Sequence, residues 1–289
     1  MLETLTATLE AYIYENGLEN TERAHKIRVE ALFGTVRSMT QVQKSNILLF
    51  WTTMESCCAA ANDFFAMSES LQAWKQRLLK THPSLTRRNE GSQTCHFLEA
   101  CQDLITNYSR DAVLAAQRSV IFVMRSLNQT AIGRNLFSTP WERDCTNNEI
   151  VKKILSIVDE GLSLGMEYLA YDYLCEKLLV TTSKAVACYY VRHLIERADL
   201  VRRRLHGKLG KGVIRRGKPP FASALRALRR MEDDINLIRK YFADQALDNP
   251  TLLRIFAGSV HVLDLVHECL SSERPDDLET FIVVIHKHT

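Results

Sequence analysis

Residues 186–242, VACYYVRHLIERADLVRRRLHGKLGKGVIRRGKPPFASALRALRRMEDDINLIRKYF, carry the pattern from which the rest of the chain is read. Apolar residues recur at Ala187, Val191, Leu194, Ala198, Val201 and Leu205, in alternating steps of four and three. A helical turn of 3.6 residues brings such positions onto one face. Leu225, Leu228, Ile235, Ile238 and Phe242 mark a second helix with a similar stripe. Between the two lies HGKLGKGVIRRGKPP, with four glycines and two prolines, which suits neither helix nor strand. From Arg202 to Met231 there is no Asp or Glu, against eleven Lys or Arg. The segment thus predicts two packed helices joined by a basic hairpin, a surface that holds something acidic.

The 289 residues suffice for one large domain or two ordinary ones. Apolar content of 46% with 25% charged residues excludes global disorder. Eleven Gly and six Pro are too few for a strand-rich fold, which needs a turn every ten residues or so. The net charge is +3; removing the eleven cations of 202–231 leaves the rest at −8, so the basic character is local. No window approaches the roughly 18 uninterrupted apolar residues of a membrane span. The first residues, MLETLTATLEAYIYENG, lack the basic start and apolar run of a secretory signal. Eight cysteines without a CxxC, most on helical patterns, read as buried thiols of a reducing, cytoplasmic compartment.

Outward from the basic segment, helices dominate. Leu2, Leu5, Leu9 and Ile13 share a face, with Gly17 just past the end of that helix. Asn20 or Thr21 caps a second helix running to about Thr40, with Gly34 inside it. Residues 45–80 read as one long helix with Ile47, Trp51, Met54, Cys58, Ala61 and Phe65, then Phe64, Met67, Leu71, Trp74 and Leu78, in the core. Residues 82–94 are a loop, followed by a long helix from Phe97 to Leu127. Residues 132–146, with Gly133 and Pro140 and no helical period, predict a connector between a bundle of residues 1–131 and one of 147–289. Phe137 and Trp141 would wedge between the two bundles. Thr146 and Glu149 have capping-box spacing. Ile150, Ile154, Ile157, Gly161, Leu164, Tyr168, Tyr171, Cys175 and Leu178 then form an unbroken seam, and Ser183 opens the helix that follows. Asp248 or Asn249 caps a helix with Pro250 in its first turn. A last stripe runs from Leu278 to Ile285, and the chain stops one turn later without a glycine stop, as a truncated chain would. The fold class expected is all-α.

The templates of catalysis mostly fail. His267-Glu268 starts like a zinc-protease motif, but Ser271 occupies the second ligand position. His286 and His288 point about 200° apart on a helix. GKLGKG at 207–212 lacks the Lys-Ser/Thr ending and the preceding strand of a phosphate loop. Glu232, Asp233 and Asp234 are adjacent and so diverge; they would neutralise Arg229 and Arg230 or face water. Cys57-Cys58 has no histidine within a turn. No metal and no cofactor is expected. What survives is the basic hairpin at 202–220, with Arg202, Arg203, Arg204, Lys208, Lys211, Arg215, Arg216 and Lys218 as the candidate contact residues. They would meet acidic lipid headgroups or an acidic protein surface, each adding about 1 kcal/mol near an anionic membrane. Nucleic acid is disfavoured, because no aromatic interleaves the basic residues between Arg202 and Pro220, although phosphate-only contact stays open.

Three stretches resemble the C-terminal region of the exocyst component three (Sec-six) family. They are VACYYVRHLI at 186–195, RRMEDDINLIRKYFADQ at 229–245 and SSERPDDLETFIVVIHKHT at 271–289. Their order and spacing agree with the family over about 140 residues. Two departures stand out: the hairpin is longer and more basic than the family's connection, and this chain lacks the family's coiled-coil N-terminal portion and the helices that follow. The resemblance implies an elongated rod of stacked antiparallel helical bundles without enzymatic activity. It implies a role in tethering secretory vesicles to the plasma membrane before SNARE-mediated fusion. Other exocyst subunits and SNARE proteins would be the partners, at cytoplasmic sites peripheral to the plasma membrane. From a different class, a helical module binding anionic lipid or nucleic acid through the hairpin is the alternative; an enzyme comes third.

Overall fold

The computed structural model describes residues 2–17, 22–46, 52–83, 93–143, 148–206, 221–246 and 249–271. Among them the chain forms ten helices and no strand: α1 (Leu2–Glu15), α2 (Glu22–Asn46), α3 (Met54–Thr81), α4 (Gln93–Gln129), α5 (Ile132–Asn135), α6 (Thr139–Arg143), α7 (Glu149–Tyr168), α8 (Asp172–His206), α9 (Ala224–Gln245) and α10 (Pro250–Ser271). The chain is all-α, as its apolar periodicity requires. The expected cap at Asn20 or Thr21, Ile47 and Trp51 of the stripe over 45–80, residues 84–92 of the expected loop, the box at Thr146 and the last stripe, Leu278 to Ile285, lie outside the described residues.

Local signals place several ends. Gly17 has φ +61, and its N–H bonds back to the Tyr14 carbonyl at 3.0 Å, closing α1 in the left-handed conformation a glycine tolerates. Asn249 caps α10, its Oδ1 accepting from Thr251 and Leu252 N–H at 3.0 and 3.2 Å. Thr53 and Ser56 form a reciprocal capping box at the start of α3. The helix expected over 45–80 therefore begins at Met54, and α2 runs on to Asn46 instead of ending near Thr40.

By Cα proximity the chain divides into two compact units. One comprises Met1–Ala116 with Leu169–Leu174, the other Gln117–Tyr168 with Cys175–Thr289. The division falls inside α4. In the first unit Val29, Leu32 and Val36 of α2, Cys57, Cys58, Ala61 and Trp74 of α3, and Phe97, Leu104 and Ala112 of α4 are buried. Ser68 of α3 donates to the Ile105 carbonyl of α4 at 3.2 Å and lies 2.6 Å from the Ser109 hydroxyl. Met67, expected in this core, is 36% exposed, and Phe65 turns instead to Tyr171, with ring centroids 4.5 Å apart.

In the second unit α9 and α10 run antiparallel. Leu228 lies opposite His267, Arg239 opposite Asp264, and Phe242 opposite Phe256. Val158 and Leu162 of α7, Leu178 and Ala187 of α8, and Ile238 and Phe242 of α9 are among its core. Gly161 admits Val123 of α4; a Cβ there would stand 3.0 Å from the valine Cγ1.

Two expectations about this region change. The seam from Ile150 to Leu178 is broken at 169–171, between α7 and α8, and Ser183 lies inside α8. The break is held in the first unit: Asn62 Oδ1 accepts from the Ala170 N–H at 2.9 Å, and Tyr171 packs on Phe65. The segment 132–146, read as a bare connector, contains α5 and α6. Its described residues belong to the second unit, where Phe137 and Trp141 are fully buried.

Candidate functional site

Arg202, Arg203 and Arg204 stand on the last turn of α8, where the structure describes the backbone. Lys208, Lys211, Arg215, Arg216 and Lys218 lie outside the described residues. The structure does define where the basic segment rejoins the fold. Phe221 sets its ring 5.9 Å from Trp141 and 6.4 Å from Phe137. The Glu142 carboxylate accepts from Ala222 N–H at 3.0 Å and from Ser223 N–H at 2.6 Å. Ser223 Oγ then accepts from Arg226 N–H at 3.3 Å and caps α9. An anion at this end of a helix also meets the positive pole of the backbone dipoles. Glu142 is buried, so the re-entry point is a fastened joint.

The residue before Glu142 ties the same region to the helix interior. Trp141 donates its indole N–H to Asp234 Oδ2 at 2.8 Å. The Tyr190 hydroxyl of α8 donates to the same oxygen at 3.0 Å, and Asn148 Nδ2 donates to Oδ1 at 3.0 Å. Arg230 Nε stands 3.9 Å from Oδ1, and its Nη1 donates to Asn148 Oδ1. Burial pushes the Asp234 carboxyl up to about 6; its bond from Trp141, the Arg230 charge and the Tyr190 bond pull the other way, and Asp233 adds to the rise. Burial and the adjacent Asp234 push the Tyr190 phenol well above its ordinary range.

Of the acidic triplet, expected to neutralise Arg229 and Arg230 or to face water, Asp234 does stand beside Arg230, its Oδ1 3.9 Å from Nε, but in the core and not in water. It is completely buried, whereas Glu232 and Asp233 are exposed. The signal was present in the spacing: Ala227, Met231, Asp234 and Ile238 follow steps of four, three and four. A carboxylate on an apolar stripe must be satisfied by hydrogen bonds. Here the donors are consumed in tying α6, α8 and α9 together, which makes the cluster a joint.

Phe137, beside Trp141, has φ +57, a left-handed conformation unfavourable for a residue with a Cβ. Its ring is held between Trp141 and Tyr190, each centroid 4.9 Å away. Outside this joint, the first two turns of α9 present exposed residues: Leu225 is 62% exposed, and Arg226 and Arg229 flank it. Leu225 was expected in the core; the buried face instead begins with Ala227.

In the first unit, Arg28 grips Glu10 with two bonds of 2.8 Å, and His82 Nε2 lies 3.3 Å from Glu10 Oε1. The Arg28 bond holds the Glu10 carboxyl below its ordinary value. Burial pushes the His82 imidazole down. Glu10 and His82 border a cavity of about 460 Å³ walled by Ala7, Trp74 and Leu78. Cys57, Cys58 and Cys101 are buried, and burial pushes the Cys101 thiol up to about 12. Cys188 is exposed, unlike the buried thiols expected. His267 is half-buried, its Nε2 3.1 Å from the Leu228 carbonyl, and so joins α10 to α9 rather than facing solvent. Among the described residues no three His, Cys, Asp or Glu side chains converge as metal ligands, and no helix is long and apolar enough to cross a membrane. No family model, no curated protein and no solved structure matches the chain.

Proposed function

We propose that this chain is a non-enzymatic helical subunit of the exocyst type, which tethers secretory vesicles to the plasma membrane before SNARE-mediated fusion. The observation that supports it is the bond from Tyr190 to Asp234. Two of the three stretches that resemble the Sec-six family, 186–195 and 229–245, lie on α8 and α9 and meet there in the buried core. The residues carrying the resemblance thus serve a structural joint, as suits a scaffold that acts by docking. An elongated rod of stacked antiparallel bundles goes with this proposal, as do partnerships with other exocyst subunits and SNARE proteins at the cytoplasmic side of the plasma membrane. The alternative, a helical module for anionic lipid or nucleic acid, draws on the eleven cations and no acid of 202–231.

The deciding experiment is affinity purification of the protein from its own cells. Stoichiometric recovery of the other tethering subunits is expected. Recovery of the protein without them, under conditions that keep the complex intact, overturns the proposal.

A further inference from the structure

We infer that the first two turns of α9 form a membrane-contact tip, with Leu225 inserting into an anionic bilayer and Arg226 and Arg229 engaging its headgroups. The inference rests on the tethering reading and names the surface and the class of partner it would use.

Leu225 is 62% exposed although it opens a helix whose other face is well buried. Arg226 is next to it and Arg229 one turn on, both exposed. The tip is rigid, because Glu142 holds the Ala222 and Ser223 amides and Ser223 caps the helix. Leu225 therefore projects from a fixed backbone. Its surroundings in sequence carry no acid from Arg202 to Met231. Cationic side chains around one apolar wedge match a surface with anionic headgroups over hydrocarbon.

The rival anions fit less well. Nucleic acid held by more than phosphate contacts needs a stacking platform. Phe221 is the one aromatic in 202–231, and its ring is spent inward on Trp141 and Phe137. An acidic protein surface would favour aromatic anchors, and Leu is under-represented among binding hot spots. The positive field also ends sharply: Glu232 and Asp233 follow on the exposed side of α9, which confines the contact to its first turns.

The test is co-sedimentation of the purified full chain with vesicles of phosphatidylcholine alone or mixed with phosphatidylserine, at physiological salt. Binding only to the mixed vesicles is expected. Leu225→Gln should lower the partition coefficient several-fold, and Arg226→Gln with Arg229→Gln should lower it by roughly fivefold per residue. Leu225 and both arginines are exposed, so unchanged thermal unfolding of the variants confirms that the fold is kept. Equal binding to both vesicle types, no binding to either, or a Leu225→Gln variant that binds as well as the parent overturns the inference. A parent chain that binds an acidic protein column but neither vesicle type, with that binding lost in the same variants, would assign the surface to a protein partner instead. Vesicle binding needs no other subunit, so failure here leaves the co-purification result standing, and the reverse.

Discussion

Trp141 and Asp234, ninety-three residues apart, meet through a 2.8 Å bond from the indole N–H to the buried carboxylate. An indole can only donate, so the bond fixes which partner supplies the lone pair. Tyr190 donates to the same oxygen, and three helices are joined at one atom.

Replacing Trp141 by Phe should cost about 2–4 kcal/mol, from a lost donor to a buried acceptor and a smaller ring in the core. Tyr190→Phe, which keeps the ring, should cost about 1–3 kcal/mol. Urea unfolding measures both. Because the two donors share Oδ2, the double variant should depart from additivity; simple addition would argue against a shared joint.

Asp234 also sets a pH dependence. Its folded value of about 6 lies above the ordinary 3.8, so the folded chain binds more protons than the unfolded chain between these limits. The stability it contributes therefore falls as pH rises from about 4 to about 6, by a few kcal/mol, and is level beyond. Tyr190→Phe removes a bond that favours the charged form and should extend the decline to higher pH. Urea midpoints at stepped pH read both effects, and an unaltered window in that variant would remove the assigned cause.

Glu10 works in the opposite sense. Arg28 holds its carboxyl below the ordinary 4.5, so its contribution is present in full above that value and is lost as pH falls through the folded one. Arg28→Met should abolish this acid-side loss, read from pH-stepped unfolding between neutral pH and pH 3 or so.

Two kinds of glycine are predicted to behave differently. A Cβ on Gly133 would overlap the Tyr189 hydroxyl and lie 2.5 Å from His193 Nε2, so Gly133→Ala should destabilise by roughly 1–3 kcal/mol. At Gly34 and Gly258 a Cβ meets nothing within 4 Å, and alanine should stabilise each helix by about 0.5–1 kcal/mol. Thermal melts of the three variants check the contrast.

Glu142→Gln keeps the shape of the side chain but leaves one amide facing a donor. It should cost about 1–2 kcal/mol, and the amides of Ala222 and Ser223 should exchange with solvent faster than in the parent. Protection unchanged at both would show that the carboxylate is not what fastens the start of α9.

Much of the helical layout was legible, because its causes are local. Gly17 ends α1 and Asn249 caps α10, as their sequence neighbours require. The strict four-three alternation of α7 misled in one respect. A period of 3.5 drifts about 20° per heptad on a straight helix, so the buried face moved to Val158, Leu162 and Gly165, and Leu164 is left 44% exposed. The break before Asp172 was invisible, since Asn62 and Phe65, which hold it, are more than a hundred residues upstream. The joint at Asp234 was missed for the same reason: Trp141 and Tyr190 give no sign in the sequence of what they will donate to. Of the eight basic residues proposed for contact, the structure places the backbone of three, and it adds Leu225, whose exposure its apolar spacing concealed.

The six residues Leu169–Leu174 belong to the first unit, although the chain on both sides of them belongs to the second. A single cut in the gene therefore cannot yield both units whole. A fragment starting at Gln117 would keep Tyr171 and Tyr173 but lose Phe65, the ring against which both pack. Deletion mapping of partners would then register damaged folding as lost affinity, and surface substitutions in the intact chain are the sounder way to assign each contact.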